Sequence, residues 1–160
     1  AEQTLDAIGQ VLDVPIKFGG HEPGTRAVQL KGVRNGGHRY SPPEIGDRFL
    51  ALFGKPNRLQ TCECERTNET TLAQTFEMVS GEIVSTLLTE PQNRIDRWLN
   101  DEVTDTEIVD KLYWTALSRS PTADEAAASV RHVERQMDRR RGLEDVVWAL
   151  LNSNEFLLRR

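Results

Sequence analysis

Two helix-start signals of the same kind constrain how the C-terminal half of the chain folds. Thr104 is followed three residues later by Glu107, and Thr122 is followed at the same distance by Glu125. In such a capping box, the Thr side chain accepts a hydrogen bond from the third helical residue, whose Glu side chain reaches back to the Thr backbone. Apolar residues at helical spacing follow both boxes: Ile108, Leu112, Tyr113 and Ala116, then Ala126, Val130, Val133 and Met137. The boxes therefore predict two consecutive helices that bury these residues.

The N-terminal half carries comparable helical signals. Leu5, Ile8 and Leu12 share one face of a first helix, which Pro15 ends. The stretch 41–44, Ser-Pro-Pro-Glu, reads as a capping box that opens a helix over 44–53, and Gly54 occupies the position of a left-handed cap.

Further apolar spacing predicts the remaining helices. The longest stripe (Leu72, Phe76, Val79, Ile83 and Leu87) predicts one helix over 71–88. A short helix follows Pro91, and a last helix starts at Gly142 and places Trp148 and Leu151 in the main core. The prediction is an all-α protein, an irregular bundle of six to seven helices with one long glycine-rich loop.

That loop spans residues 15–40 and contains six glycines (Gly19, Gly20, Gly24, Gly32, Gly36 and Gly37). Only Arg26 to Leu30 could form a short strand within it. Its apolar residues (Ile16, Phe18, Val28, Leu30 and Tyr40) predict a loop that packs over the cysteine-containing segment rather than a free tail. The 160 residues suit a single helical domain, 1–160. Because Ala1 opens directly into helical pattern, we expect a fragment of a larger protein.

The charge balance limits the classes of partner. The net charge is −5, from 25 acidic and 20 basic residues, which argues against nucleic-acid binding. One basic cluster, Arg139–Arg141 with Arg131 and Arg135 upstream, reads as the solvated C-terminal end of a helix. No run of eighteen apolar residues is present, so no membrane-spanning segment is predicted.

The two cysteines, Cys62 and Cys64, are one residue apart and leave three readings open. In the first reading, they pack inward as small apolar groups. In the second, they form a strained disulfide. In the third, they supply two ligands of a zinc site that His21 and His38 complete, although the usual two-residue gap between the cysteines is missing.

Arg66 follows the cysteines and has Glu63, Glu65 and Glu69 as neighbours. One reading is a structural ion pair, since a guanidinium fork matches a carboxylate; the other is capture of an anion near the start of the next helix. We expect the segment from Cys62 to Arg66 to be a structural hinge, with Arg66, Glu65 and Glu69 as its ionic contacts.

No recognised catalytic constellation is present. The sequence contains no Ser-His-Asp pattern, phosphate-cradling loop or dinucleotide fingerprint. Asp96, Asp101, Glu102, Glu144 and Asp145 read as charges at helix ends, and His132 reads as a solvated side chain. Whether the chain is an enzyme stays open at this point.

Three segments together resemble a known family: residues 53–84 (FGKPNRLQTCECERTNETTLAQTFEMVSGEIV), 107–125 (EIVDKLYWTALSRSPTADE) and 143–156 (LEDVVWALLNSNEF). They are similar to a planctomycete-specific C-terminal domain of unknown function, found in large bacterial proteins that often also carry a c-type cytochrome domain. The resemblance implies that the chain is a C-terminal fragment of an exported parent protein, located in the periplasm, at the cell surface or outside the cell. It implies haem only in a separate domain, and it transfers no catalytic residue.

Two functional hypotheses follow. The first is a non-catalytic helical module, without a cofactor of its own, that docks onto other domains of its parent polypeptide or onto a surface protein. The alternative is a metal or redox component, or part of a polysaccharide-active enzyme, with its site at Cys62–Arg66 and zinc as the metal.

Overall fold

The computed structural model describes residues 1–30, 41–54 and 72–158. Within these ranges the chain forms helices and no strand, which confirms the all-α prediction. The helices are α1 (Glu2–Leu12), a 3-10 helix (Ala27–Gln29), α2 (Ile45–Leu52), α3 (Leu72–Ser80), α4 (Glu82–Thr89), α5 (Arg94–Asn100), α6 (Asp105–Leu117), α7 (Ala123–Arg135), α8 (Arg139–Leu151) and α9 (Asn154–Leu157). The residues group into two compact units: unit 1 comprises Ala1–Gly9 and Pro15–Val84, and unit 2 comprises Gln10–Val14 and Ser85–Arg160.

In unit 1 the chain after α1 is irregular but firmly held. The Asp6 carboxylate accepts hydrogen bonds from the backbone N–H of Ala27, at 2.6 Å, and of Val28, at 3.2 Å. These bonds satisfy the first N–H groups of a 3-10 turn, so the short strand predicted at Arg26–Leu30 is wrong. Of the expected loop anchors, Ile16, Phe18 and Leu30 are buried, whereas Val28 is exposed; Tyr40 lies outside the described residues.

Helix α2 begins later than its predicted capping box. Glu44, not Ser41, is the N-cap residue, and the Asp47 carboxylate accepts a hydrogen bond from the Glu44 backbone N–H at 3.0 Å. The predicted box is therefore shifted by three residues, because Asp47 supplies the returning carboxylate. Gly54 adopts the expected left-handed conformation, with φ +76°.

The helix predicted over 71–88 is divided into α3 and α4. The Glu77 carboxylate folds back and accepts hydrogen bonds from the backbone N–H of Ile83, at 2.8 Å, and of Val84, at 3.2 Å. A Cβ at Gly81 would lie 2.1 Å from the Glu77 carboxyl carbon, so glycine permits this turn. Because the two helices do not continue one periodicity, the predicted stripe divides: Ile83 and Leu87 are buried, whereas Leu72, Phe76 and Val79 are exposed.

In unit 2, α6, α7 and α8 pack on one another, and α9 contacts α6 and α8. A Cβ at Gly142 of α8 would lie 2.9 Å from the Cα of Val133 in α7, so glycine allows these two helices to approach closely. Both predicted capping boxes, Thr104 with Glu107 and Thr122 with Glu125, are present. The buried residues of the three helices are mainly aliphatic: Ile108, Val109, Leu112, Ala116, Val133, Leu143, Val146, Val147, Leu150 and Leu151.

Four predictions about α7 and α8 are wrong. Helix α8 starts at Arg139 rather than Gly142, because the Asp138 side chain accepts a hydrogen bond from the Arg140 backbone N–H. Arg139–Arg141 therefore lie at the start of a helix, not at its C-terminal end. Met137 is fully exposed in the turn before α8, and Trp148 is 38% exposed, whereas Leu151 is buried as predicted.

Candidate functional site

Most of the residues predicted to form a site lie outside the part of the chain that the structure describes. Cys62, Cys64 and His38 belong to this group, and so do Arg66, Glu65 and Glu69. The zinc, disulfide and hinge readings of that segment, and the expectation that residues 15–40 cover it, therefore stay predictions.

His21 is the one proposed metal ligand within the described residues. It lies beside a cleft of about 340 Å³ in unit 1, and its backbone N–H donates to the Phe18 carbonyl at 3.1 Å. Around the cleft, the Asp47 carboxylate accepts a hydrogen bond from the Gly19 N–H at 2.7 Å. The cleft is lined by Pro15–Pro23, Ser41, Pro42 and Glu44. Over residues 1–30, 41–54 and 72–158, no three His, Cys, Asp or Glu side chains are grouped so that they could hold a metal ion.

In unit 2, Arg119 connects three helices. Its guanidinium donates hydrogen bonds of 2.8–2.9 Å to both carboxylate oxygens of Glu125 and bonds of 2.8 Å to both oxygens of Glu155. It also lies over the ring of Tyr113, 5.4 Å from the ring centroid. The hydrogen bonds from Arg119 are the main reason that the pKa of Glu125 falls to about 2 and that the pKa of Glu155 is lowered. Because one guanidinium holds both carboxylates, the cluster is a structural clamp between α7 and α9.

A second ionic cluster occupies the first turn of α8. Arg140 pairs with Asp96 of α5 and donates to Glu144 at 2.7 Å. The hydrogen bond to Glu144 is the main reason that the pKa of Arg140 is raised. Arg139 donates to Asp105 at the start of α6 at 2.7 Å. Asp96 and Asp105 pair with arginines of another helix, whereas Glu144 pairs with Arg140 of its own helix. The sequence had indicated Asp96 and Glu144 only as helix-end charges.

His132 is not simply solvated, contrary to the sequence interpretation. Its Nε2 lies 2.9 Å from an oxygen of Asp145, so the pair joins α7 to α8. Both side chains are nearly half exposed, and His132 has Gln136 as its other polar neighbour, at 3.4 Å. The contact is a surface link between two packed helices.

The basic cluster nevertheless retains three arginines for which the described residues provide no partner: Arg131 and Arg135 in α7 and Arg141 in α8. Every other arginine in the described ranges has a hydrogen bond or an ion pair within the chain: Arg26, Arg48, Arg94, Arg97, Arg119, Arg139 and Arg140. The sequence grouped these arginines correctly, but only the fold separates the paired ones from the unpaired ones.

In unit 1, α3 presents an uncharged apolar surface, which we call the α3 apolar face and define as Leu72, Phe76 and Val79. These side chains are 79%, 65% and 47% exposed, respectively. Their spacing of four and three residues places them on one side of the helix. On its other side α3 buries Met78, and Gln74 donates to the Leu52 carbonyl of α2 at 3.1 Å. The sequence indicated this apolar stripe but predicted that it is buried, whereas in the structure it is exposed.

The described residues thus define a class of protein: an all-helical protein in which ion pairs link several helices and which carries an exposed apolar face. No helix among them is both long enough and apolar enough to cross a membrane.

The chain belongs to the PSD1 family of proteins of unknown function (DUF1553), whose model matches residues 20–133, well over half of the sequence. No curated protein and no solved structure matches it significantly.

Proposed function

We propose that this chain is a non-catalytic docking module of a larger, exported bacterial protein, and that its partner is another domain of the same parent polypeptide. The α3 apolar face carries this proposal. An uncharged helical face exposed over two turns favours burial against a second apolar surface, because removing apolar area from water is favourable.

The size of the face favours a tethered partner over a free one. From the exposed fractions of Leu72, Phe76 and Val79, the face offers on the order of 300 Å² of apolar surface. A stable complex between separate proteins buries about 800 Å² on each partner. A short linker supplies an effective concentration in the millimolar range, so a contact of this size is sufficient within one polypeptide. A separate surface protein is therefore the less favoured partner.

The setting of the parent protein follows from the family resemblance and is part of the proposal. We propose a bacterial parent of the planctomycete type, located in the periplasm, at the cell surface or outside the cell, with any haem in a different domain. The helical module itself then needs no cofactor, and its role is to hold the domains of the parent in a defined arrangement.

A photo-cross-linking residue at Phe76 tests the proposal in the full-length parent protein expressed in its host. We expect an intramolecular cross-link to another domain, identified by mass spectrometry. The same residue placed at Asp124, an exposed polar position on α7, is the matched control and should not give that product. A cross-link to a different protein would contradict the tethered arrangement, and the absence of any cross-link from Phe76 would contradict the docking role.

A pair of substitutions separates docking from folding. Leu72→Gln with Phe76→Gln should leave the thermal midpoint of the isolated chain nearly unchanged, because both side chains are mostly exposed. Leu158→Gln, at a residue that is 73% exposed, serves as the control. In the parent, only the α3 variant should speed hydrogen exchange in the partner domain.

A further inference from the structure

The α7–α8 corner of unit 2 combines exposed charge with an exposed apolar side chain. We define this corner as Arg131 and Arg135 near the end of α7, Met137 in the connecting turn, and Arg141 in the first turn of α8. Arg131 and Arg135 are one helical turn apart, and Arg141 adjoins Gly142, where α8 approaches Val133 of α7. All four side chains at the corner are exposed.

Pairing within the described ranges does not account for these arginines. The chain has more acids than bases, and its other described arginines are paired, yet Arg131, Arg135 and Arg141 have no partner in the described ranges. The nearby acids are mostly engaged: Asp145 contacts His132, Glu144 contacts Arg140, and Asp138 caps α8. Glu134 is the one exposed carboxylate in this region without a described partner.

The helix dipole does not account for Arg141 either. A cation is favoured in the last turn of a helix and disfavoured in the first, where the dipole is positive. Arg135 is in the favoured position, whereas Arg141 is in the disfavoured one. Arg139 and Arg140, in the same first turn, are compensated by Asp105, Asp96 and Glu144. Arg141 has no such compensation among the described residues.

We infer that the α7–α8 corner docks a carboxylate-rich segment of a partner protein. This inference goes beyond the proposed docking role, because it adds a second surface, in the other unit, with a partner of stated chemistry. Guanidinium groups bind carboxylates through two parallel hydrogen bonds, which an ammonium cannot do, and the corner contains arginine and no lysine. Arginine and methionine are both enriched in protein interfaces.

Two features favour an acidic protein segment over a nucleic acid. Three unpaired cations release few counterions, and the protein carries a net charge of −5, which repels an extended polyanion. Met137 places a flexible apolar side chain among the arginines, and this suits a peptide that carries an apolar residue between its acids.

The test is a titration of the isotope-labelled chain with a short poly-L-glutamate peptide at low ionic strength, followed by amide chemical shifts. We expect shifts concentrated at residues 131–141. The triple variant Arg131→Gln, Arg135→Gln and Arg141→Gln should bind about tenfold more weakly, since three exposed ion pairs are lost. Its thermal midpoint should match that of the original chain, because none of the three side chains has a described partner.

The matched control is a second triple variant, Arg26→Gln, Arg48→Gln and Arg97→Gln, which has the same net charge but keeps the corner. It should bind poly-L-glutamate within about twofold of the original chain. Equal weakening in both triple variants would show only diffuse attraction and would overturn the inference. Heparin binding more than about tenfold tighter than poly-L-glutamate at the same corner would overturn it in favour of a sulfated polysaccharide.

If the first triple variant does not fold, the single variant Arg141→Gln keeps the inference testable and should weaken binding by about twofold or more. The α3 cross-link is independent of these results. If poly-L-glutamate does not bind at the corner but the α3 cross-link forms, only this inference is contradicted. If the α3 cross-link does not form, the proposed function is contradicted.

Discussion

Asp47 illustrates how a single side chain organises unit 1. It is 3% exposed, and one of its oxygens accepts hydrogen bonds from the Gly19 and Glu44 backbones, at 2.7 and 3.0 Å. The neighbouring Gly46 donates to the Lys17 carbonyl at 3.1 Å, and a Cβ there would lie 2.3 Å from the Phe18 ring. The loop after α1 is therefore fixed on the first turn of α2 by one carboxylate and one missing Cβ.

We expect Asp47→Ala to lower the free energy of unfolding by about 2 to 4 kcal/mol, because it leaves two backbone donors without their acceptor and removes a helix cap. Urea unfolding measures the change. Glu134→Ala removes an exposed carboxylate without a described partner and should change stability by no more than about 0.5 kcal/mol. Similar losses in the two variants would show that Asp47 does not hold the loop.

Between elements, Arg119 is the main ionic connection of unit 2. It follows α6 and binds Glu125 in the first turn of α7 and Glu155 in α9, so one guanidinium links three helices. Its contact with the Tyr113 ring adds an apolar surface to the clamp. Glu125 also completes the capping box of α7 by accepting from the Thr122 backbone at 2.8 Å.

The clamp makes a prediction about pH. The pKa of Glu125 is about 2 in the folded chain, below its usual value of 4.5, chiefly because Arg119 donates to it. The stabilisation is therefore complete above pH 4.5 and is lost as the pH falls towards about 2. We expect Arg119→Gln to lower the thermal midpoint near neutral pH and to flatten its dependence on pH across this interval.

Arg131→Gln is the control for that measurement, because it removes the same charge from an arginine without a described partner. It should retain the pH dependence of the original chain. If both variants retain that dependence, the acid sensitivity arises from other carboxylates and the clamp is not its source.

At the scale of the whole molecule, the described residues form two compact units. The single-domain prediction for 1–160 stays a prediction, and so does the hinge at Cys62–Arg66, which lies outside the described residues. The docking-module hypothesis and the metal or redox hypothesis predict different chemistry for Cys62 and Cys64, so an experiment on the two cysteines distinguishes them.

We expect the purified protein to contain no stoichiometric zinc or other transition metal, and to show two titratable thiols when it is denatured without a reductant. Metal analysis together with a thiol count measures this. We expect no bound metal because, if the segment is a structural hinge, Cys62 and Cys64 pack as small apolar side chains and do not act as ligands. A stoichiometric metal that Cys62→Ser removes without unfolding the protein would establish the alternative, a metal or redox site.

The sequence by itself determined the helical class and several helix ends. Capping boxes at Thr104 and Thr122 and the glycine at 54 act through hydrogen bonds and backbone conformations within a few residues, so local sequence is sufficient to predict them. The apolar face of α1 was equally clear, because three aliphatic residues at helical spacing leave one side to bury.

Only the tertiary structure decided which surfaces stay open. Helix α3 buries Met78 and binds α2 through Gln74, which leaves Leu72 and Phe76 exposed, although their spacing alone indicated a buried stripe. Likewise, Asp96 and Asp105 are far from Arg139–Arg141 in sequence, so local pattern could not show which arginines are paired. Periodicity tells which residues share a face, whereas contacts between distant segments determine whether that face is covered.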